Sequence, residues 1–268
     1  MMAASSVYKH LRLITFDATN TLITVARDTG AQYAEVAALY GVRGATEVRD
    51  DPAKVAQLSA AFRPAFNRLD AEQPNYGLQN GSNPVQWWSS LVARTFEDVG
   101  FDFSSEEEAK KIRATAAHLW KVYSRGSAWK LKDGAKDLLT DLRAARPSVE
   151  LAVLSNSDDR LEVILAELGI SHLFQYRFIS AQMGAEKPSP EIFAAVFSRA
   201  HISRPRTEYL HVGDSLEKDY RPALAAGGNA ILVSKKLLKQ LKVEEAGIDS
   251  EHVVGELTEL RKLLLPPT

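Results

Sequence analysis

Short apolar runs rich in branched residues fall at Leu11–Phe16, Glu150–Ser155, Tyr176–Ser180, Tyr209–Val212 and Ala230–Ser234, and each predicts a strand. Between the later runs the apolar spacing lengthens to three and four residues. Leu161, Ile164, Leu165 and Leu168 make one such stripe, and Gly169 is placed to stop that helix. Further helices are predicted over Asp133–Ala145, Pro190–Ala200 and Pro222–Ala226. Strands that alternate with helices in this way predict a parallel sheet built from βαβ units.

Residues 23–125 carry a different pattern, with few strand signals. Helical spacing fits Gln32–Tyr40, Ala53–Arg68, Pro84–Val99 and Glu106–Tyr123. In the last of these Ala109, Ile112, Ala116, Leu119 and Tyr123 form the stripe, and Ser105 with Glu108 suits a capping box. The block is too long for a crossover. It predicts a helical cap domain, residues 23–125, inserted into an α/β core made of residues 1–22 and 126–268.

Composition narrows the function classes. The 268 residues carry a net charge of -1, with 45% hydrophobic and 25% charged residues, which is ordinary for a globular chain. This charge balance leaves no footprint for nucleic acid or an anionic membrane. The absence of cysteine removes disulfides, thiolate metal sites and cysteine nucleophiles. No apolar stretch is long enough to span a bilayer. The opening "MMAASSVYKHLRL" lacks a secretory h-region, which suits the cytoplasm. Its basic, acid-free character leaves a mitochondrial presequence open.

Open parallel sheets present their functional loops beyond the carboxyl ends of the strands. Read at those ends, the chain offers Asp17, then Ser155 and Asn156, then Lys187 in "AEKPSPEIF", and last Asp214 in "HVGDSLEKDY" with Asp219 close behind. One aspartate at a strand end reads as a turn or cap residue; the ordered series reads as a site. Three carboxylates and one ammonium would leave about two negative charges in excess. A divalent ion with hard oxygen ligands would balance them, and Mg2+ suits carboxylates, water and phosphate. The ion and Lys187 would then neutralise a phosphoryl group in flight, Ser155, Asn156, Thr19 and nearby N–H groups would bind the substrate and hold its oxygens, and Asp17 would attack phosphorus.

This series resembles the haloacid dehalogenase-like (HAD) hydrolase superfamily: Asp17–Leu22 matches its first motif, Ser155 its second, Lys187 its third and "GDSLEKD" its fourth. Within it, "LITFDATNTL", "PNYGLQ", "QWW" and "AEKPSPEIF" are similar to the group of rhythmically expressed gene 2 protein and haloacid dehalogenase-like hydrolase domain-containing protein 3. The resemblance implies a doubly wound, Rossmann-like core with a cap between the first and second motifs. It also implies Mg2+ held by Asp17, Asp214, Asp219 and the backbone carbonyl of Thr19, and a small phosphorylated substrate.

Position 19 departs from the superfamily pattern, in which an aspartate protonates the leaving group. Thr19 keeps the carbonyl and loses the acid. The chain therefore reads as a hydrolase weak on alkyl phosphates, or as a non-catalytic binder of a phosphorylated metabolite or a protein partner. The helix with Trp87 and Trp88, after the turn-rich "PNYGLQNGSNP", is the candidate cap surface for substrate, with Trp87 as a contact. At least one of the two faces the cap core. His211, just before "VGD", reads as sheet packing or a local hydrogen bond, and "SKKLLKQLK" at Ser234–Lys242 as a solvated helix face.

Overall fold

The computed structural model describes residues 8–239 and 248–265. Residues 1–7 of the basic opening and residues 240–242 of the lysine-rich stretch lie outside the described residues.

Among the described residues eight strands form: β1 (Leu13–Phe16), β2 (Ile23–Val25), β3 (Trp129–Leu131), β4 (Glu150–Ser155), β5 (Tyr176–Ile179), β6 (Tyr209–Gly213), β7 (Asn229–Val233) and β8 (Val253–Val254). Six of them make one parallel sheet in the order β5-β4-β1-β6-β7-β8. The chain winds outward from β1 through β4 to β5, then returns to the other side of β1 with β6. This is the doubly wound order, and its switch point lies between β1 and β6, where such sheets open a crevice at their carboxyl edge.

Both faces of the central strands are buried, because every residue of β1 and β6 is buried. On one face Leu13, Ala152, Leu154, Phe178, Tyr209 and Leu232 pack with Ile192, Phe193 and Val196 of the helix Pro190–Arg199. Alternation sends Ile14, Phe16, Val153 and Val212, each 0% exposed, to the other face. The predicted helix stop also forms: Gly169, at φ 71°, follows the helix Arg160–Glu167.

The chain divides into two compact units, residues up to Thr24 together with those from Lys130 onward, and Val25–Trp129. Both divisions fall inside β2 and β3, which pair with each other as a two-stranded sheet. Neither strand follows from the sequence pattern, since three residues are too few to show a period.

The Val25–Trp129 unit is helical, with helices Thr29–Leu39, Ala45–Arg49, Pro52–Glu72, Pro84–Glu97 and Glu106–Tyr123. Asp28, Asp51, Asn83 and Ser105 cap four of them by accepting backbone N–H bonds. Its core joins Tyr33, Leu58, Val92, Phe96, Ile112 and Leu119. Gly30 lets two helices cross closely, because a Cβ there would stand 2.5 Å from the Val55 carbonyl oxygen.

The expected capping box is corrected to half a box. Ser105 Oγ accepts the Glu108 N–H at 3.2 Å, but the Glu108 carboxylate turns away. It accepts the backbone N–H of Arg43 at 3.0 Å and the Lys111 ammonium at 2.8 Å. A carboxylate near a lysine and a donor from the first helical hairpin has stronger partners there than one N–H at its own cap.

Candidate active site

Register brings the predicted strand ends together. Phe16 lies opposite Val153 on one side and Val212 on the other. Asp17 therefore leaves β1 at the edge where Ser155 closes β4 and Gly213 closes β6. The Asp17 N–H donates to the Val212 carbonyl at 2.8 Å, which fixes the start of the loop. The loop then closes on itself as Leu22 and Ile23 N–H donate to the Ala18 carbonyl at 2.8 and 2.9 Å. Asn20 takes the left-handed conformation, φ 68°, at its tip. Thr19 sits on the same loop with its side chain exposed.

Lys187 is the hub. It is 2% exposed, and its Nζ donates to Asp17 Oδ1 at 2.8 Å and to Asp219 Oδ1 at 2.6 Å. Carboxylate oxygens of Asp17, Asp214 and Asp219 lie within 4.8 Å of one another. Gly213 makes room for this convergence, because a Cβ there would overlap the Asp219 carboxylate. Ser215 N–H donates to the other Asp219 oxygen at 2.9 Å.

The charges are strained against burial. Burial pulls the Lys187 ammonium down, but the charges and hydrogen bonds of Asp17 and Asp219 outweigh it and hold its pKa above the ordinary value. Asp219 is also pushed up by burial, yet Lys187 and His211 hold it well below the carboxylate range. Asp17 moves the other way: burial raises it and Asp219 adds to the rise, against the pull of Lys187. Asp214 is pushed up to about 7 by burial and by the charges of Asp17 and Asp219. One ammonium does not neutralise three carboxylates, two of them buried and one half-buried, and a divalent cation would. The three are hard oxygen donors around one point, which fits a divalent ion such as magnesium.

Other expected site residues take different places. The Asn156 amide is committed to the lysine loop, with Oδ1 accepting Lys187 N–H at 2.8 Å and Nδ2 donating to the Lys187 carbonyl at 2.7 Å. Its side chain thus braces Lys187, which corrects its assignment as a substrate ligand. Trp87 is corrected too. It is 1% exposed, its indole N–H donates to the Gln73 carbonyl at 3.0 Å, and its ring meets Phe66 and Tyr76 edge-on. A ring buried in this way among residues of its own helical unit has no face to offer a substrate.

His211 does bond locally, but to the site itself. Its Nε2 lies 3.0 Å from Asp219 Oδ1 and its Nδ1 2.8 Å from Thr15 Oγ1, which in turn lies 2.7 Å from the Tyr209 hydroxyl. Burial holds the imidazole pKa below its ordinary value. Sequence reasoning passed over Thr15 and Tyr209. The available signal was the two-residue spacing of Tyr209 and His211, which puts both on one face of β6.

A Rossmann-order sheet with one lysine and three aspartates at its switch point fits the class of hydrolases with an acidic site. The haloacid dehalogenase-like hydrolase family model matches residues 11–227, and the chain belongs to that family. It is 32% identical to haloacid dehalogenase-like hydrolase domain-containing protein 3 of Bos taurus over 250 residues, covering 93% of this chain and 92% of that protein. It is 31% identical to the rhythmically expressed gene 2 protein of Drosophila melanogaster over 260 residues, covering 94% of each. Among solved structures it is similar to the HAD-hydrolase YfnB of Bacillus subtilis bound to magnesium, with a TM-score of 0.63 at 20% identity over 96% of this chain and 99% of that one. No helix among the described residues is long and apolar enough to cross a membrane.

Proposed function

We propose that the protein is a magnesium-dependent hydrolase of small phosphorylated compounds that works through an aspartyl-phosphate on Asp17. The observation that carries this reading is the buried Lys187 ammonium, 2.8 Å from Asp17 and 2.6 Å from Asp219, beside a third carboxylate on Asp214. The solved relative bound to magnesium supports the choice of ion. Asp17, Asp214, Asp219 and the Thr19 carbonyl would hold that ion, which when bound supplies positive charge to phosphoryl oxygens.

In the first step an Asp17 oxygen forms a bond to phosphorus, and the bond from phosphorus to the leaving oxygen breaks, its electron pair going with the leaving group. Lys187 would offset charge on the transferring group, and Ser155, at the end of β4, would hold one of its oxygens. In the second step water attacks the phosphorus, the bond to Asp17 breaks, and phosphate leaves with the carboxylate restored.

Thr19 sets the limit. A threonine hydroxyl does not protonate a leaving alkoxide, and such general-acid help is worth about 10²–10⁴-fold. Aryl and acyl phosphates release phenolate and carboxylate anions, which are stable and need no proton. The test compares both substrate classes, with and without Mg2+, in wild type, Asp17→Asn and Thr19→Asp. Asp17→Asn should be inactive, and Thr19→Asp should raise turnover on alkyl phosphates alone. Equal wild-type rates on both classes with no gain in Thr19→Asp would sink the reading of position 19. Beryllofluoride binding through Asp17 without turnover of any phosphate would favour a binder.

A further inference from the structure

We propose that His211 is a positioning residue: fixed as the Nε2–H tautomer by the Asp219 carboxylate and backed by Thr15 and Tyr209, it holds the Asp219 oxygen that shares Lys187 with Asp17. The assignment rests on the reading of Asp17 as the nucleophile.

The strands build the relay. Tyr209 and His211 stand two residues apart on β6, and register sets Thr15 of β1 directly opposite His211. Thr15, Tyr209 and His211 are each 0% exposed. The Phe193 ring packs edge-on against the imidazole with centroids 6.0 Å apart. Solvent therefore does not compete for these groups.

The direction of each bond follows from the carboxylate. Asp219 Oδ1 accepts from Lys187 Nζ, and Oδ2 accepts from the Ser215 N–H. An ionised carboxylate only accepts, so His211 Nε2 donates to it across 3.0 Å. A neutral imidazole with its proton on Nε2 has a lone pair on Nδ1, and that lone pair accepts a hydrogen bond from the Thr15 hydroxyl across 2.8 Å. The Thr15 oxygen is then left to accept from the Tyr209 hydroxyl at 2.7 Å. Each donor has one acceptor, so none can reverse without orphaning a buried group. Asp219 Oδ1 is thereby held by His211 as well as by its lysine, and Lys187 stays within reach of Asp17.

The full chain labelled with 15N-histidine reports the tautomer by NMR. The expected spectrum shows His211 protonated at Nε2 and bare at Nδ1, and Thr15→Val should keep that tautomer, because Asp219 still requires the Nε2–H donor. On an aryl phosphate, His211→Leu should lower kcat about 10- to 100-fold with little change in KM, the usual scale for groups behind a metal or catalytic ligand. His211→Gln keeps an N–H donor and should recover most of that loss. An Nδ1–H tautomer in wild type overturns the proposal, as do folded Leu and Gln variants that are equally impaired. If the leucine variant does not fold, the wild-type tautomer and the glutamine variant decide. The NMR readout needs no substrate, so a chain that turned over no phosphate would remove the functional reading while the tautomer still upheld or overturned the role of His211.

Discussion

Lys187 Nζ lies 2.8 Å from Asp17 Oδ1, although 170 residues separate the two in the chain. The ammonium is buried and has Asp219 as its second partner. Removing one member of a buried ion pair leaves the other charge unpaired, at a cost of about 3–5 kcal/mol. Lys187→Met should therefore lower the unfolding free energy by that order and abolish turnover. Because three carboxylates then stand without their ammonium, added Mg2+ should restore more stability to the variant than it adds to wild type. Urea unfolding with and without Mg2+ checks both; a variant as stable as wild type without the ion would contradict the pairing.

Asn156 binds both the N–H and the carbonyl of Lys187, and it does so with opposite ends of one amide. Asn156→Asp keeps the acceptor for the N–H but turns the donor into an oxygen facing the Lys187 carbonyl. That repulsion should displace the lysine and lower kcat by at least about 10-fold, as expected when a positioning group is lost. The fold should persist, as checked by circular dichroism. Unchanged kinetics on an aryl phosphate would show that the brace has no catalytic weight.

Gly213 ends β6 with a backbone conformation that other residues adopt, so a side chain is excluded by space alone. A Cβ at this position overlaps the Asp219 carboxylate. Gly213→Ala should push Asp219 out of line, weaken Mg2+ binding about 10- to 100-fold and cost about 1–3 kcal/mol from overpacking. Calorimetric titration of Mg2+ reads the first effect directly. Wild-type affinity in the variant would mean that Asp219 does not need its present position.

Glu108 supplies a stability prediction far from the strand ends. Its hydrogen bond from Lys111, and next that from the Arg43 N–H, hold its carboxyl below the ordinary value of 4.5. The unfolded chain thus binds this proton more readily than the folded one, and stability rises with pH where that difference acts. The contribution of Glu108 is complete above 4.5 and fades as pH falls through its lower folded value. Wild type should therefore exceed Glu108→Gln in unfolding free energy at neutral pH, with the gap closing in acid. A gap that is constant with pH would show that charge at Glu108 plays no part.

Local pattern made much of the sheet legible. β4 runs over Glu150–Ser155 and the last long helix of the Val25–Trp129 unit over Glu106–Tyr123, both as their apolar spacing predicts. Strand ends followed, and with them the positions of Asp17, Ser155 and Asp214, because an apolar run must stop where the chain meets polar loops; Lys187 stands farther on, past the short helix Ser180–Met183 that follows β5. Short elements stayed hidden. β2 and β3 owe their existence to each other, and Ala45–Arg49 spans little more than one turn.

The sequence by itself determined which residue types stand at the carboxyl edge of the sheet and that position 19 lacks an acid, since both depend only on period and order along the chain. Tertiary structure alone decided where side chains point. It turned Asn156 toward the Lys187 backbone, buried Trp87 among Phe66 and Tyr76, and aimed His211 at Asp219. These choices are competitions between partners distant in the chain, settled by strand register and by the cost of leaving a buried polar group unpaired. No local window of residues contains both competitors.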